Sequence, residues 1–321
     1  MTLSFFRKNW FMLGLVGVAL VTLADAGQLT TSLGLWLGAN RGPEAMVAIV
    51  FLFSGLSLDT RQIRSGVSDL RGTLLALMLI FFIPPLVSFL FALLPLGYGI
   101  IIGLFLVSVM PSTLSSGVVM TGAAGGNMAH ALLITIIANI LAVFTVPVFL
   151  TMLLSGAGES RSIEIDQLSI MIKIAILVIL PLTCGLALRR LFGSRLLPVL
   201  SYTSICNQIG VLLIVWIALA KGKEAIMNEF DSMVVILIAV SIFHLILVVI
   251  AFVVTRIANI PKGRRESIIF MGGQKTLPLS IILQVSLFPE FGIALAVCVL
   301  HHIVHLIMDA YLIGYLRKKE V

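Results

Sequence analysis

Long apolar runs, separated by charged or Gly/Pro-rich stretches, recur along the whole chain. The run from Met233 to Val254 holds no Lys, Arg, Asp or Glu and exceeds the roughly 20 residues that cross a bilayer as a helix. Comparable runs predict helices near 9–24, 43–58, 72–94, 98–112, 128–154, 165–191, 199–220, 231–257 and 290–315. Two fragmented regions, 113–126 and 264–287, belong to the same series, and merging each with its neighbour predicts ten crossings.

Composition supports a polytopic, all-α membrane protein without a soluble module. Of 321 residues, 60% are hydrophobic and 11% are charged, whereas soluble domains carry about 25% charged residues. The N-terminal run resembles a signal peptide, but the many spans after it favour a first transmembrane helix. The formal charge of +7 would suit nucleic acid, yet its distribution along the chain favours membrane topology and no nucleic-acid partner.

Positive charges fall mainly into every second connection, as the positive-inside rule predicts. One side holds fifteen: Arg7, Lys8, Arg61, Arg64, Arg71, Arg189, Arg190, Arg195, Arg256, Lys262, Arg264, Arg265, Arg317, Lys318 and Lys319. The other side holds Arg41, Arg161, Lys221 and Lys223, with Lys173 near a helix end. Both termini are therefore expected in the cytoplasm, which requires an even number of crossings. We expect a bacterial inner membrane, from the compact chain and short termini.

The two fragmented regions predict an internal duplication. Thr113-Leu114 in the first and Thr276-Leu277 in the second lie 163 residues apart, about half the chain. Five spans followed by five more place the second half upside down, because five is odd. We expect two inverted repeats, 1–158 and 159–321, each with a discontinuous fourth helix: helices 4 and 9 of the chain.

Interrupted helices at corresponding places in inverted halves indicate a transporter site near the membrane midplane. Unwound backbone in hydrocarbon persists only where protein, water or a ligand satisfies its polar groups. Half-helix N-termini suit an anion, and exposed carbonyls at half-helix C-termini suit a cation.

The first break, PSTLSSGVVMTGAAGGN, supplies hydroxyl and amide groups for such a site. Its candidate binding residues are Ser112, Thr113, Ser115, Ser116 and Asn127. A Gly/Ser-rich re-entrant turn, or small residues that allow close helix packing, is the alternative interpretation.

The second break, IIFMGGQKTLPLS, supplies Gln274, Lys275 and Thr276. A lysine central in a span costs ~2.5–3.5 kcal/mol on translocon scales, so such residues tend to be functional. Lys275 could be an anion counter-charge, a proton carrier or a tethered cation. Its distance from both apolar edges argues against snorkelling to the interface.

Polar residues on two other spans are further candidates. Thr135 and Asn139 share a face of the fifth span. His301, His305 and Asp309 form an i, i+4, i+8 stripe on the last span. That stripe could bind a metal or relay protons, but bonding to a neighbouring helix is the favoured interpretation.

Enzyme motifs are absent from the sequence. Leu114 occupies the first position of the G-x-S-G string that rhomboid-like proteolysis needs, and there is no H-E-x-x-H, P-loop or intramembrane aspartate pair. A channel or a regulator of cation homeostasis stays open as an alternative, since broken helices also build pore loops. Inverted halves favour alternating access.

The order of ten spans, with PSTLSSGVVMTGAAGGNMAHALLIT and FMGGQKTLPLS in the two breaks, resembles the bile acid:sodium symporter family. Within it, the sodium/bile acid cotransporter 7-like branch is most similar. The resemblance implies a six-helix core, in which the fourth and ninth helices cross at unwound centres, and a four-helix panel from spans 1, 2, 6 and 7. It also implies sodium-coupled uptake of organic anions such as bile acids.

The same resemblance implies a first sodium site, only part of which carries over. Ser116 matches the serine of a Ser-Asn pair, but Gly117 replaces the asparagine. Thr135 matches one hydroxyl of span 5, while Ala131 occupies the other position. Phe270 stands where the symporters have an acidic ligand.

For a second implied sodium, Gln274 matches a ligand and the carbonyls of Met271 and Gly273 remain available. Lys275 replaces a neutral amide residue. A hard cation usually needs a carboxylate in a low-dielectric site. We therefore hypothesise that the Lys275 ammonium replaces part of the sodium charge, with sodium as a possible coupling ion and no other cofactor expected.

Overall fold

The computed structural model describes residues 2–58, 69–114, 116–156 and 165–318, and within them all regular structure is helical. The α-helices are α1 Thr2–Leu23, α2 Leu29–Ala39, α3 Gly42–Ser57, α4 Leu70–Phe81, α5 Ile83–Ala92, α6 Tyr98–Val109, α7 Ser116–Ala123, α8 Met128–Gly156, α9 Gln167–Ile174, α10 Leu180–Phe192, α11 Leu197–Leu200, α12 Thr203–Asn228, α13 Met233–Ile257, α14 Arg264–Gly273, α15 Leu277–Leu287 and α16 Gly292–Lys318. A π-turn, Ala175–Ile179, joins α9 to α10, and short 3-10 turns cover Gly193–Leu196 and Phe230–Ser232.

Seven helical segments in the described ranges are long and apolar enough to cross a membrane. They are Leu70–Ala92, Met128–Gly156, Gln167–Phe192, Thr203–Asn228, Phe230–Ile257, Arg264–Leu287 and Gly292–Arg317. Shorter apolar helices are Trp10–Leu23, Gly42–Ser57 and Tyr98–Val109. These segments follow the predicted apolar runs in order, so the all-helical class is confirmed.

Helix α2 falls between the first two predicted spans and was not expected from the sequence. Its 11 residues are too few to cross a bilayer, so no span-length pattern marks it. Asp25 fixes its start by accepting hydrogen bonds from the Thr30 hydroxyl at 2.7 Å and the Thr31 amide at 2.9 Å. Lys223 of α12 donates to the Asp25 carbonyl oxygen at 2.8 Å, which ties this corner to α12.

The predicted helix over 72–94 is divided at Phe82 into α4 and α5. Pro84 and Pro85 cause the division, because proline has no backbone N–H and its ring clashes with the preceding turn. Ile80, four residues before Pro84, therefore has a carbonyl oxygen without a donor in its own helix.

The helices pack as two groups that face each other. Helices α3, α10 and α12 pack together with α1 and α2, and the other group comprises α4 to α8 with α13 to α16. Helices α3 and α10 approach so closely that a Cβ added at Gly55 would collide with the Leu182 carbonyl oxygen. The groups meet where α12 packs on α15 and α16 and where α3 packs on α15. Helix α14 lies inside the second group, between α4, α7, α8 and α13.

Some sequence predictions fall outside the described residues. They concern Arg61, Arg64, Arg161 and Lys319 among the topology charges, Ser115 among the candidate binding residues, and the boundary between 158 and 159.

Candidate functional site

The two helix breaks predicted from the sequence cross in the second group of helices. Six residues separate α6 from α7, and three separate α14 from α15. The Thr276 amide, in the second break, donates to the Pro111 carbonyl oxygen, in the first, at 3.0 Å. The unwound segments therefore satisfy part of each other's backbone, as a break within a membrane requires.

Lys275 lies at this crossing with its side chain only 2% exposed. Its Nζ donates to the carbonyl oxygens of Ile80 at 2.7 Å and Met110 at 2.9 Å. The Ile80 oxygen lacks its helical donor because of Pro84, and the Met110 oxygen lies just beyond the C-terminus of α6. The ammonium thus satisfies two unpaired carbonyls and lies where a helix dipole favours positive charge. It does not extend to the protein surface.

Gln274 joins the crossing to two other helices. Its Oε1 accepts from the Ser116 hydroxyl of α7 at 3.0 Å, and its Nε2 donates to Oδ2 of Asp309 on α16 at 2.7 Å. The Oδ1 of Asp309 lies 3.1 Å from Nε2 of His244 on α13. A chain of side-chain hydrogen bonds therefore runs from α7 through the second break to α16 and α13.

Ser112, Thr135 and Asn139 form a second polar group behind the first break. The Ser112 hydroxyl donates to the Thr135 hydroxyl at 3.4 Å, and Asn139 Nδ2 donates to the Thr135 carbonyl at 2.9 Å and the Ser112 carbonyl at 3.4 Å. The Asn139 Oδ1 is buried without a hydrogen-bond partner.

The other candidate residues differ in position. The Thr113 hydroxyl lies 3.0 Å from the Ser116 hydroxyl, so both belong to the crossing. Asn127 does not: its Oδ1 accepts from the His130 amide at 3.0 Å, and its own amide donates to the Gly263 carbonyl at 2.7 Å. It caps the start of α8.

A crevice of about 410 Å³ opens beside the crossing, between the two groups of helices. Thr113, Ser116 and Thr276 line it on the side of the breaks, and Ser54, Asn207 and Gln208 line it on the opposite side. Most of the remaining lining is apolar, including Phe11, Phe51 and Leu306. This arrangement can hold an amphipathic molecule with a polar end at the breaks.

Comparison with known proteins matches residues 9–318 to the SBF-like CPA transporter family. The chain belongs to this family. The probable sodium/metabolite cotransporter BASS4, chloroplastic, of Arabidopsis thaliana is 28% identical over 333 residues, covering 98% of this chain and 74% of the relative. Sodium/bile acid cotransporter 7 of Mus musculus is 28% identical over 299 residues, covering 86% and 82%.

Membership confirms the resemblance expected from the two break sequences. With the apolar helices, it makes the chain an integral membrane protein of a transporter family.

The sodium ligands implied by the resemblance do not form an oxygen cage in this SBF-like transporter. The Met271 sulfur lies 2.9 Å from the Thr135 hydroxyl, and a Cβ added at Gly117 would collide with the Met271 methyl group. The thioether therefore fills the space between α8 and α7, and sulfur is a poor ligand for a hard cation.

The second implied sodium fits no better. The Gln274 oxygen, a common member of both implied sites, already accepts from Ser116. The carboxylate of Asp309 contacts the amide nitrogen of Gln274 rather than its oxygen. The five residues of the implied set, Ser116, Thr135, Met271, Gly273 and Gln274, thus do not fit sodium as they are arranged.

Sequence reasoning missed two parts of this site. The contact between Asp309 and Gln274 was not expected, although the stripe on the last span singled out Asp309. The Pro84-Pro85 pair inside an apolar run was the signal for an unpaired carbonyl at Ile80. His302, beside the stripe, lines the crevice.

Proposed function

We propose that the chain is a secondary active transporter of organic anions that works by alternating access at the crossing of its broken helices. The observation that carries the proposal is the backbone contact between the two breaks beside a crevice that separates two helix groups. Such crossings are typical of transporter sites at the interface of inverted repeats. The proposal includes ten crossings, two inverted repeats at 1–158 and 159–321, and one helix group that moves against the other.

An anion in the crevice would face the N-termini of α7 and α15. Ser116 begins α7, Leu277 begins α15, and both line the crevice with Thr276. Helix N-termini present unpaired N–H groups and positive potential. The apolar remainder of the lining suits a hydrophobic body, so an amphipathic carboxylate or sulfonate such as a bile acid is the proposed substrate class.

The relatives carry sodium in their names, which makes sodium the first coupling ion to test. The crossing of this chain already holds the Lys275 ammonium, and Met271 fills the space between α8 and α7. We therefore expect anion uptake by this chain to depend only weakly on sodium.

The proposed setting is a bacterial inner membrane with both termini in the cytoplasm, from the distribution of Lys and Arg. The proposed role is transport without chemical conversion of the substrate. The partners are the organic anion and the surrounding lipid.

Counterflow in proteoliposomes tests the proposal. Vesicles loaded with excess unlabelled cholate should transiently accumulate external labelled cholate, because a carrier exchanges one molecule per cycle. Uptake should saturate with concentration and be absent from protein-free vesicles. A non-saturating cholate or ion flux without counterflow would establish the channel alternative and overturn the proposal.

A further inference from the structure

His302 is the one titratable side chain among the described residues that line the crevice. Its ring lies edge-on to Phe11, with 6.1 Å between ring centroids, and hydrogen-bonds the backbone of Lys275. Its Nδ1 is buried and has no hydrogen-bond partner. A proton taken up at that nitrogen would therefore charge the wall of a crevice that otherwise offers an anion only dipoles.

Three more histidines extend from His302 into the protein. The centroids of His302 and His305 are 4.6 Å apart, and His305 lies 5.3 Å from His301 and 5.7 Å from His244. Both ring nitrogens of His305 lack a hydrogen-bond partner, as do Nε2 of His301 and Nδ1 of His244.

Buried polar atoms without partners are rare in native proteins and call for an explanation. Five such nitrogens occur together in this cluster. A shared, exchangeable proton explains them, because each imidazole can pass a proton between its two nitrogens.

The charges around the cluster come from three elements. Helix α13 contributes His244, helix α16 contributes Asp309, and the second break contributes Lys275. Asp309 contacts His244 and Gln274 but neither His302 nor His305 in any described hydrogen bond. From α1, α3, α7 and α12, the described residues of the crevice lining include no charged side chain. With neutral imidazoles, Lys275 and Asp309 offset each other, so one added proton gives a net positive charge.

We infer that His302 and His305 form a proton-binding site and that one proton taken up there enters the transport cycle together with the anion. The proton moves from water in the crevice to the imidazole of His302, and it returns to water when the anion leaves. The pair of charges that crosses the membrane is then neutral. This inference rests on the proposed function and names its coupling ion.

The site can be tested by histidine NMR on the full chain in lipid nanodiscs. The chain has only five histidines, so a sample labelled at histidine Cε1 gives few resonances. Substitution of each histidine by glutamine assigns them. If His302→Gln does not fold, the other four variants identify His302 by elimination. His130 lies outside the cluster, bonded to Ser267 at 2.6 Å, and serves as the internal control.

The resonances of His302 and His305 should titrate together between about pH 5 and pH 8. Saturating cholate should raise their midpoint, since an anion that binds the protonated form tenfold more tightly shifts it by about one pH unit. The same shift should persist in His130→Gln. Resonances that do not change with pH, or a midpoint that cholate leaves unmoved, overturn the inference.

Transport separates this inference from the proposed function. A pH gradient of one unit, acidic outside, should raise steady cholate accumulation up to about tenfold for one coupled proton. Counterflow without any response to the gradient leaves the transporter standing and overturns proton coupling. A cholate-dependent midpoint without counterflow supports the proton site and overturns the transporter.

Discussion

The ammonium of Lys275 lies 2.7 Å from the carbonyl oxygen of Ile80, an atom that Pro84 leaves without a helical donor. The same ammonium reaches the Met110 oxygen beyond the end of α6. One buried side chain therefore compensates a proline bend and a helix break at once. In water-free surroundings both oxygens would otherwise be unpaired.

Lys275→Met should lower the stability of the protein markedly, because it keeps the apolar stem and removes the donor. Each oxygen left unpaired costs about 1–3 kcal/mol. Thermal unfolding of the purified protein measures the effect. Lys221→Met, at an exposed position of α12, is the matched control and should change stability by no more than about 0.5 kcal/mol. Equal melting temperatures for the two variants would refute the assigned role of Lys275.

The sodium response gives Lys275 a second test. Replacing external sodium by choline should change wild-type cholate uptake less than about twofold, well under the tenfold that 1.4 kcal/mol represents. Lys275→Ala should either gain sodium dependence or lose uptake altogether. Wild-type uptake that disappears without sodium contradicts the proposal that the ammonium replaces sodium charge.

Pro84→Ala should make the loss of Lys275 less harmful. Alanine supplies the missing N–H to Ile80, so Lys275→Met should cost about 1 kcal/mol less in that background. Pro85→Ala is the control, since it restores a donor to the carbonyl of Phe81, which Lys275 does not contact. The measurement is a double-mutant cycle of unfolding free energies. Strict additivity for the Pro84 pair would contradict the explanation.

Gly117→Ala should destabilise the wild type by about 1–3 kcal/mol through overpacking, because the added methyl group collides with the Met271 methyl group. In Met271→Ala the same change should cost much less, since the colliding group is gone. Gly97→Ala meets nothing within 4 Å and provides the control. Unfolding temperatures of the four proteins decide the matter, and an equal cost in both backgrounds would show that Met271 does not fill this space.

Gln274→Leu should destabilise the protein by roughly 1.5–3 kcal/mol, the range for a hydrogen bond to a charged group, because Asp309 Oδ2 loses its donor. Gln208→Leu changes the same residue type in the crevice lining. The Gln208 variant should unfold close to the wild-type temperature. If it unfolds as early as the Gln274 variant, the link between the second break and α16 has no special weight.

Asp25→Asn should reduce stability at neutral pH and have less effect in acid. Hydrogen bonds from the Thr30 hydroxyl and the Thr31 amide lower the pKa of this carboxyl group from 3.8 to about 2. A lowered folded-state pKa contributes stability above the unfolded value, and that contribution is lost as the pH falls through about 2. Melting temperatures at about pH 7 and pH 3 should therefore differ less in the variant than in the wild type. An equal dependence on pH would exclude this role.

The positions of the apolar helices could be predicted because burial in lipid imposes a length and composition on each span. Helix α2 could not, since a short interfacial element carries neither signal. The division of α4 from α5 was written in Pro84 and Pro85, but an apolar run with proline is also compatible with a continuous, kinked helix.

At the site, the breaks were predictable from Gly, Pro and polar residues, whereas their partners were not. Lys275 binds backbone carbonyls, which have no residue-type signature, at positions 165 and 195 residues away. For Asp309, the expected bond to a neighbouring helix is confirmed by His244. The stripe did not reveal that His301 and His305 would carry unpaired ring nitrogens.

Lys275 and Thr276 bind consecutive carbonyls, those of Met110 and Pro111. Two adjacent fastenings, unlike one, resist torque, so neither broken helix can swivel or slide on the other without losing both. A cargo molecule seated against these helix ends would be carried by the pair as a single vehicle. The opposite wall of the crevice would stay behind, as a track along which the vehicle travels.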